Sequence, residues 1–251
     1  FIKNIEPALK DARYIRVDGK ALLIVYRPML LPDAAATALR WRDYARSSGI
    51  GELYLLSTAS FGFSDYESIG YDGLVQFPPH NTRQPVNTKS LDLYNPKFSG
   101  KVNDYIATAN ETIEHLDAEK THFPTVMADW DNEARKPGSG HVFLGCNPDH
   151  YENWLSKACD FVDKTRKSEE KLVFINAWNE WAEGTYLEPD RKYGYAYLEK
   201  TANVVQSHYN GPKIILVAHD ASSTGAAYLS PHIAKRLTEQ MNCRVHMLVL
   251  G

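Results

Sequence analysis

Lys171-Leu-Val-Phe-Ile-Asn-Ala-Trp178 runs straight into Asn179-Glu-Trp-Ala-Glu-Gly-Thr185, and this junction sets the expected architecture. The first half is apolar on consecutive positions, which fits a strand covered on both faces rather than one with a wet side. The second half is polar and aromatic. In parallel α/β folds, reactive groups collect just past the carboxyl ends of strands, so this strand delivers Glu180 and Glu183 to such a place. Gly184 permits a sharp turn behind them. The two carboxyls are expected to face one cavity between the Trp178 and Trp181 rings. Apolar walls there would raise the pKa of one, while hydrogen bonds from Asn176 or Asn179 would keep the other ionised. Two carboxyls in unlike environments suit glycosidic bond chemistry, where one protonates the leaving oxygen and the other assists attack at the anomeric carbon. The bland alternative makes both glutamates the solvated start of a helix, favoured by its dipole.

Similar apolar runs recur upstream at Ala21–Tyr26, Leu53–Ser57, Gly73–Phe77 and Phe123–Ala128. Helical patterns follow at Ala34–Ser47, Val102–Leu116, His150–Lys167 and Tyr195–Tyr209, with a loop rich in Pro and Asn from Pro78 to Ser99. About five β-α units in sequence predict a parallel α/β fold. The fold class expected is a partial (β/α)8 TIM-like barrel over residues 1–210, lacking roughly three of its eight units upstream of Phe1; a doubly wound sheet is the runner-up. After Gly211-Pro212 the character changes. Ile214–Ala218 reads as a strand, His219–Gly225 as a small-residue loop, Tyr228–Gln240 as a helix and Val245–Leu250 as a strand. Residues 211–251 are thus expected to be one truncated β-α-β unit of a new domain.

Composition narrows the partners. The 251 residues carry 28 Lys plus Arg against 31 Asp plus Glu, leaving no basic surplus to recruit nucleic acid or anionic lipid. No apolar run approaches the roughly 18 residues of a membrane span, so neither nucleic acid nor stable membrane insertion is expected, and composition gives no oligomeric state. Aromatics make up 12% of residues, which suits a pocket that stacks on sugar faces. Cys146, Cys159 and Cys243 show no disulfide or zinc spacing, and His141, Cys146 and His150 match no standard zinc pattern. A reducing compartment follows, with no metal and no organic cofactor in the barrel.

Other polar groups stand at predicted strand ends. Asp129, Trp130, Asp131 and Asn132, with Arg135 close behind, offer hydrogen bonds and a stacking ring to a sugar, against a purely structural Asp–Arg pair. His80 follows Phe77-Pro-Pro, where two prolines stiffen the loop. Tyr26 and Arg27 close the first strand, as substrate contacts or as core closure with an Arg salt bridge.

Phe174-Ile-Asn-Ala-Trp-Asn-Glu-Trp-Ala-Glu-Gly-Thr-Tyr-Leu-Glu-Pro-Asp190 closely resembles the hallmark of the WbsX-like proteins, a branch similar to glycoside hydrolase family 99. Asp11-Ala-Arg-Tyr-Ile-Arg-Val-Asp-Gly-Lys20, Tyr26-Arg-Pro28, Phe77-Pro-Pro-His80, and Asp129-Trp-Asp-Asn132 with Arg135 follow the same pattern in the same order. The resemblance spans Phe1 to about Tyr209. It implies a (β/α)8 barrel acting on mannose-like or related glycans. It assigns Glu180 to deprotonate the sugar's 2-hydroxyl, giving a 1,2-anhydro intermediate with retention, and Glu183 to act as general acid and then base. Substrate contacts are expected from Trp178, Asn179, Trp181, Asp129, Trp130, Asp131, Asn132, Arg135, His80 and Tyr26. WbsX-like proteins commonly occur in polysaccharide biosynthesis and have been labelled glycosyltransferases. The 214–225 segment resembles the opening of two-Rossmann-domain glycosyltransferases, whose donor nucleotide sits mainly in the later domain. This implies that 211–251 is the truncated first β-α-β of a Rossmann-like domain, a nucleotide sugar as ligand of that incomplete C-terminal domain, and a cytoplasmic bacterial surface-polysaccharide assembly protein. Three functions follow in order of expectation: a retaining glycoside hydrolase-like enzyme, a glycosyltransferase, and a glycan-binding barrel without turnover.

Overall fold

Apolar runs alternating with amphipathic stretches become parallel strands joined by helices. The computed structural model describes residues 1–208, 213–218 and 245–249. Helix α1 (Glu6–Leu9) leads into β1 (Arg16–Val17) and β2 (Lys20–Val25). Helix α2 (Ala34–Ser48) is capped by the Asp33 carboxylate, which accepts from the Ala36 N–H at 2.8 Å, and ends at Gly49 in the left-handed region. Strands β3 (Leu53–Ala59) and β4 (Gly73–Gln76) follow. Then come β5 (Lys101–Asp104), α3 (Tyr105–Glu114), β6 (His122–Phe123), β7 (Thr125–Met127) and β8 (His141–Leu144). The chain continues through α4 (Pro148–Thr165), β9 (Leu172–Asn176), β10 (Asn179–Glu180), β11 (Thr185–Tyr186) and α5 (Ala196–Ser207) to β12 (Lys213–Ala218) and β13 (Val245–Val249).

These elements form two compact units. The first comprises Phe1–Asn81 and Asp117–Phe123. Its sheet has the order β1-β2-β3-β4-β6, parallel throughout except for the β1–β2 hairpin. Leu53 and Leu55 of β3 are fully buried and belong to one core with Ala38 and Ala45 of α2. A polar stitch ties this helix to the strand ends. The Arg42 guanidinium donates to the Leu53 and Gly70 carbonyls and pairs with Asp72 at 2.8 Å, while the Asp72 carboxylate also accepts from the Leu55 N–H at 2.7 Å. Asp72→Ala removes the counter-charge of a half-buried guanidinium and the acceptor of a strand N–H, and is expected to cost about 3 kcal/mol in urea denaturation. A loss below about 1 kcal/mol would show the stitch to be incidental.

The second unit comprises Thr82–Leu116 and Pro124–Gly251. Its larger sheet has the order β13-β12-β9-β7, all parallel, and β5 pairs with β8 in a separate parallel pair. Every residue of β9 is buried, as its consecutive apolar positions predict. Helix α4 starts at Asn147, whose side chain accepts from the His150 N–H, with Pro148 in its first turn. It contributes Trp154, Leu155, Ala158 and Val162 to the core shared with Val173 and Ile175 of β9. Tyr151 on α4 hydrogen-bonds Thr201 on α5 at 2.8 Å.

The chain is mixed α/β with parallel sheets, and β9 falls inside the apolar run Lys171–Trp178. Two predicted elements differ. Phe123–Ala128 is broken at Pro124, which lacks an N–H, into β6 and β7 in different sheets. Val102–Leu116 opens as strand β5 because Val102 and Asn103 pair with β8 and are buried; the helix begins at Tyr105. Ile214–Ala218 lies in β12, which continues the sheet beyond β9. The predicted loop His219–Gly225 and helix Tyr228–Gln240 lie outside the described residues.

Candidate functional site

Immediately past β9 the chain folds into a tight hairpin. Strands β10 and β11 pair antiparallel, with Asn179 opposite Tyr186 and Glu180 opposite Thr185. The Trp181–Glu183 turn joins them and closes at Gly184, φ +69°. The Thr185 hydroxyl donates to the Asn176 carbonyl at 2.5 Å, and the Leu187 N–H donates to the Trp178 carbonyl at 2.9 Å, so the hairpin is anchored to the strand end. Glu180 and Glu183 are half-buried on this hairpin, at the N-cap and the last residue of its single 3-10 turn, rather than solvated at the start of a long helix.

The loop beyond β7 packs on the hairpin. The Asp131 N–H donates to the Glu183 carbonyl at 2.9 Å, and the Arg135 guanidinium pairs with the Glu183 carboxylate at 2.9 Å. A Cβ on Gly184 would lie 2.7 Å from the Asp131 nitrogen and 2.9 Å from its carbonyl oxygen, so only glycine admits this approach. Strand β8 holds the loop from its other side. Asn132 accepts from the His141 N–H at 2.7 Å, and the Trp130 carbonyl accepts from the Phe143 N–H at 2.9 Å.

Between these segments lies a hollow of about 550 Å³. Asp129, Asp131 and Glu133 line it from the β7 loop, and Trp181, Gly184 and Tyr186 from the hairpin. The next segment adds Asp190, Lys192, Tyr193 and Tyr197. Trp181 stacks on Tyr186 with centroids 3.7 Å apart, and its indole N–H donates to Glu188 at 2.6 Å. The Tyr186 hydroxyl donates to Asp190 at 3.1 Å. Burial pushes the Tyr186 phenol up to about 12, with the Asp190 carboxylate adding to it. Burial likewise holds Tyr197 far above the usual phenol range, and its hydroxyl has no hydrogen-bond partner among the described residues. Glu133 is occupied locally, its carboxylate accepting from the Gly138 and Gly140 N–H groups.

Asp129 is the hollow's perturbed carboxyl. Burial raises its pKa above the ordinary carboxylate value; the Cys146 thiol, the Trp130 N–H and the Lys192 charge offset part of this. A carboxyl raised in this way contributes stability that is fully present below its unfolded pKa of about 3.9 and lost as pH rises through the folded value. Asp129→Asn is therefore expected to melt higher than the parent at pH 7, with the gap closing toward pH 4. An equal or lower melting temperature at pH 7 would contradict the assignment.

The predicted residues divide. Trp181, Asp129 and Asp131 line the hollow. Glu180 and Glu183 do not line it; their chain neighbours Trp181 and Gly184 do. Trp130 and Trp178, expected as stacking walls, are core side chains at 4% and 1% exposure. Asn132 is buried and pins the loop, whereas the Asn179 side-chain oxygen is buried without a hydrogen-bond partner among the described residues. Arg135 acts on Glu183. Tyr26 and His80 belong to the first unit, at the carboxyl ends of β2 and β4. There the Tyr26 hydroxyl lies 3.4 Å from His80 Nε2, in a cluster with Phe61 and Phe77. Tyr186, Asp190, Lys192, Tyr193 and Tyr197 were missed as site residues. The aromatic density after Gly184 is the signal that points to them. Among the described residues, no group of three or more His, Cys, Asp or Glu side chains is placed to hold a metal ion, and no helix is long and apolar enough to cross a membrane.

Residues 1–201 match the family described as Glycosyltransferase WbsX. The chain belongs to this family. Among curated proteins, this family member is similar to the uncharacterized protein WxcX of Xanthomonas campestris pv. campestris, strains B100 and ATCC 33913. Identity to each is 41% over 201 residues, which make up 80% of the chain and 29% of the relative. The chain thus spans 29% of the length of the curated relatives it matches. No solved structure matches it.

Proposed function

We propose that the chain is the glycan-handling part of a glycosyltransferase of bacterial surface polysaccharide biosynthesis, and that residues 1–210 are the later part of a (β/α) barrel. Family membership favours transfer over hydrolysis, which reverses the order expected from sequence. The hollow has the makings of a sugar site: flat aromatic faces, an unpartnered Tyr197 hydroxyl and several acceptors for sugar O–H groups. The observation that carries the reading is the Arg135–Glu183 ion pair, which fixes the Glu183 carboxylate next to the hollow's Gly184 wall. Glu183 is assigned as the base that removes the proton from an acceptor hydroxyl. The freed oxygen attacks the donor's anomeric carbon, and the bond to the leaving group breaks with its electron pair departing on that group. Glu180 orients the sugar from the adjoining position.

A second reading is retaining hydrolysis in the family 99 mould, with Asp129 joining Glu180 and Glu183: burial shifts Asp129 toward its protonated form, the direction that an acid for leaving-group protonation needs. The family match ends at residue 201, and 211–251 is read as opening a Rossmann-like domain whose ligand is a nucleotide sugar, its β12 adding to the sheet of β9. The free thiols of Cys146 and Cys159 suit a reducing, cytoplasmic setting.

The test incubates the full-length protein with nucleotide sugars plus an oligosaccharide acceptor, and separately with aryl glycosides. Acceptor elongation with little sugar release supports transfer. Release from aryl glycosides without nucleotide-sugar consumption replaces it with hydrolysis.

A further inference from the structure

Beyond that reading, and independent of which reaction the hollow serves, the first unit carries a second group of side chains at its strand ends. Phe61, just past β3, is 57% exposed and adopts φ +52°, a left-handed conformation that bulky side chains rarely take. Both exposure and backbone are unfavourable. Such a residue persists where its surroundings over-determine it, and strain of this kind clusters at ligand sites. Here the loop is pinned. The Gly62 N–H donates to Asn81 at 3.1 Å, and the hydroxyls of Thr58 and Ser60 both donate to the Tyr26 carbonyl. Tyr26 itself is 40% exposed and meets Phe61 edge-on at 6.2 Å, while His80 lies 5.0 Å from the Phe61 ring.

Over Phe61, at 4.1 Å from its centroid, sits the Arg27 guanidinium. The sequence left a salt bridge open for this arginine, and none forms: among the described residues no carboxylate oxygen lies within 4.0 Å of it, and its buried Nε has no hydrogen-bond acceptor. A half-buried guanidinium without an anion is incomplete, because its fork of N–H groups matches a carboxylate or phosphate with two parallel bonds. The adjoining rings offer the C–H face of a sugar a surface to stack on.

We propose that Arg27, Phe61, Tyr26 and His80 form a binding site for a sugar residue carrying a carboxylate or a phosphate. The anion bonds to Arg27 and the ring stacks on Phe61 and Tyr26. The site selects an anionic unit of the glycan and takes no part in bond making.

Calorimetry on the full-length protein with methyl glucuronide, glucose 1-phosphate and methyl glucoside tests this without turnover. At least one anionic probe is expected to bind about 10-fold or more tightly than the neutral glucoside. Whichever anionic probe binds identifies the source as uronate or phosphate. Arg27→Gln is expected to abolish the preference and Arg27→Lys to keep part of it. Phe61→Asn, which tolerates positive φ, is expected to weaken anionic binding while the melting temperature holds or rises. Glu183→Gln is expected to leave this binding unchanged, so failure of the transfer reading leaves the result standing. Equal affinity for all three probes, no binding of either anion, or an Arg27→Gln protein that keeps the preference would overturn the proposal.

Discussion

Gly184→Ala is expected to damage the second unit and its hollow together, lowering the melting temperature by roughly 6–12 °C and transfer activity by at least about 100-fold. Two costs combine. The position has φ +69°, which a side chain resists, and the added Cβ would sit 2.7–2.9 Å from backbone atoms of Asp131, where no flexible side chain can give way. Together they amount to about 3 kcal/mol or more. The alternative to unfolding is separation of the hairpin from the β7 loop, which breaks the bond from Asp131 to the Glu183 carbonyl and opens the hollow. A variant that melts within about 2 °C of the parent and keeps full activity would show the two loops to be independent.

Glu183→Gln is expected to remove about 100- to 10,000-fold of transfer turnover with little change in acceptor affinity. Glutamine keeps the size and the acceptor oxygen but cannot take a proton. Stability should barely move, since the partner Arg135 is 55% exposed and such a pair contributes at most about 1 kcal/mol. Steady-state kinetics on the elongation reaction measures the split: kcat falls and KM holds. A variant within about threefold of the parent in kcat would remove Glu183 from the chemistry.

Much of this arrangement is legible in the amino acids, for identifiable reasons. The bounds of β9 follow from five consecutive buried positions, and the chemistry-bearing segment begins where that run ends. The β5 strand is hidden because Val102-Asn-Asp104 abuts a helix whose apolar spacing absorbs it. Pro124 was the available sign that the next strand is two.

Ring placement is less legible. Trp130 and Trp178 flank the polar clusters in sequence, but burying an indole's large apolar surface outweighs adjacency, and both turn inward. Trp181 faces out because the turn after β10 reverses the chain there. The third wall of the hollow joins a loop from Asp190 to Tyr193 with Tyr197 at the start of α5, and becomes visible only when the chain returns past the hairpin. Pairs 48 residues apart, such as Arg135 with Glu183, leave no trace in a single sequence.

The central claim is that glycan occupies the hollow between the β7 loop and the hairpin. Hydrogen exchange with and without the tightest binder from a panel of neutral oligosaccharides measures this directly. Slowed exchange is predicted in residues 129–135 and 180–197, including the Asp131 and Leu187 amides. Saturating ligand that leaves both segments exchanging at their free rates would contradict it.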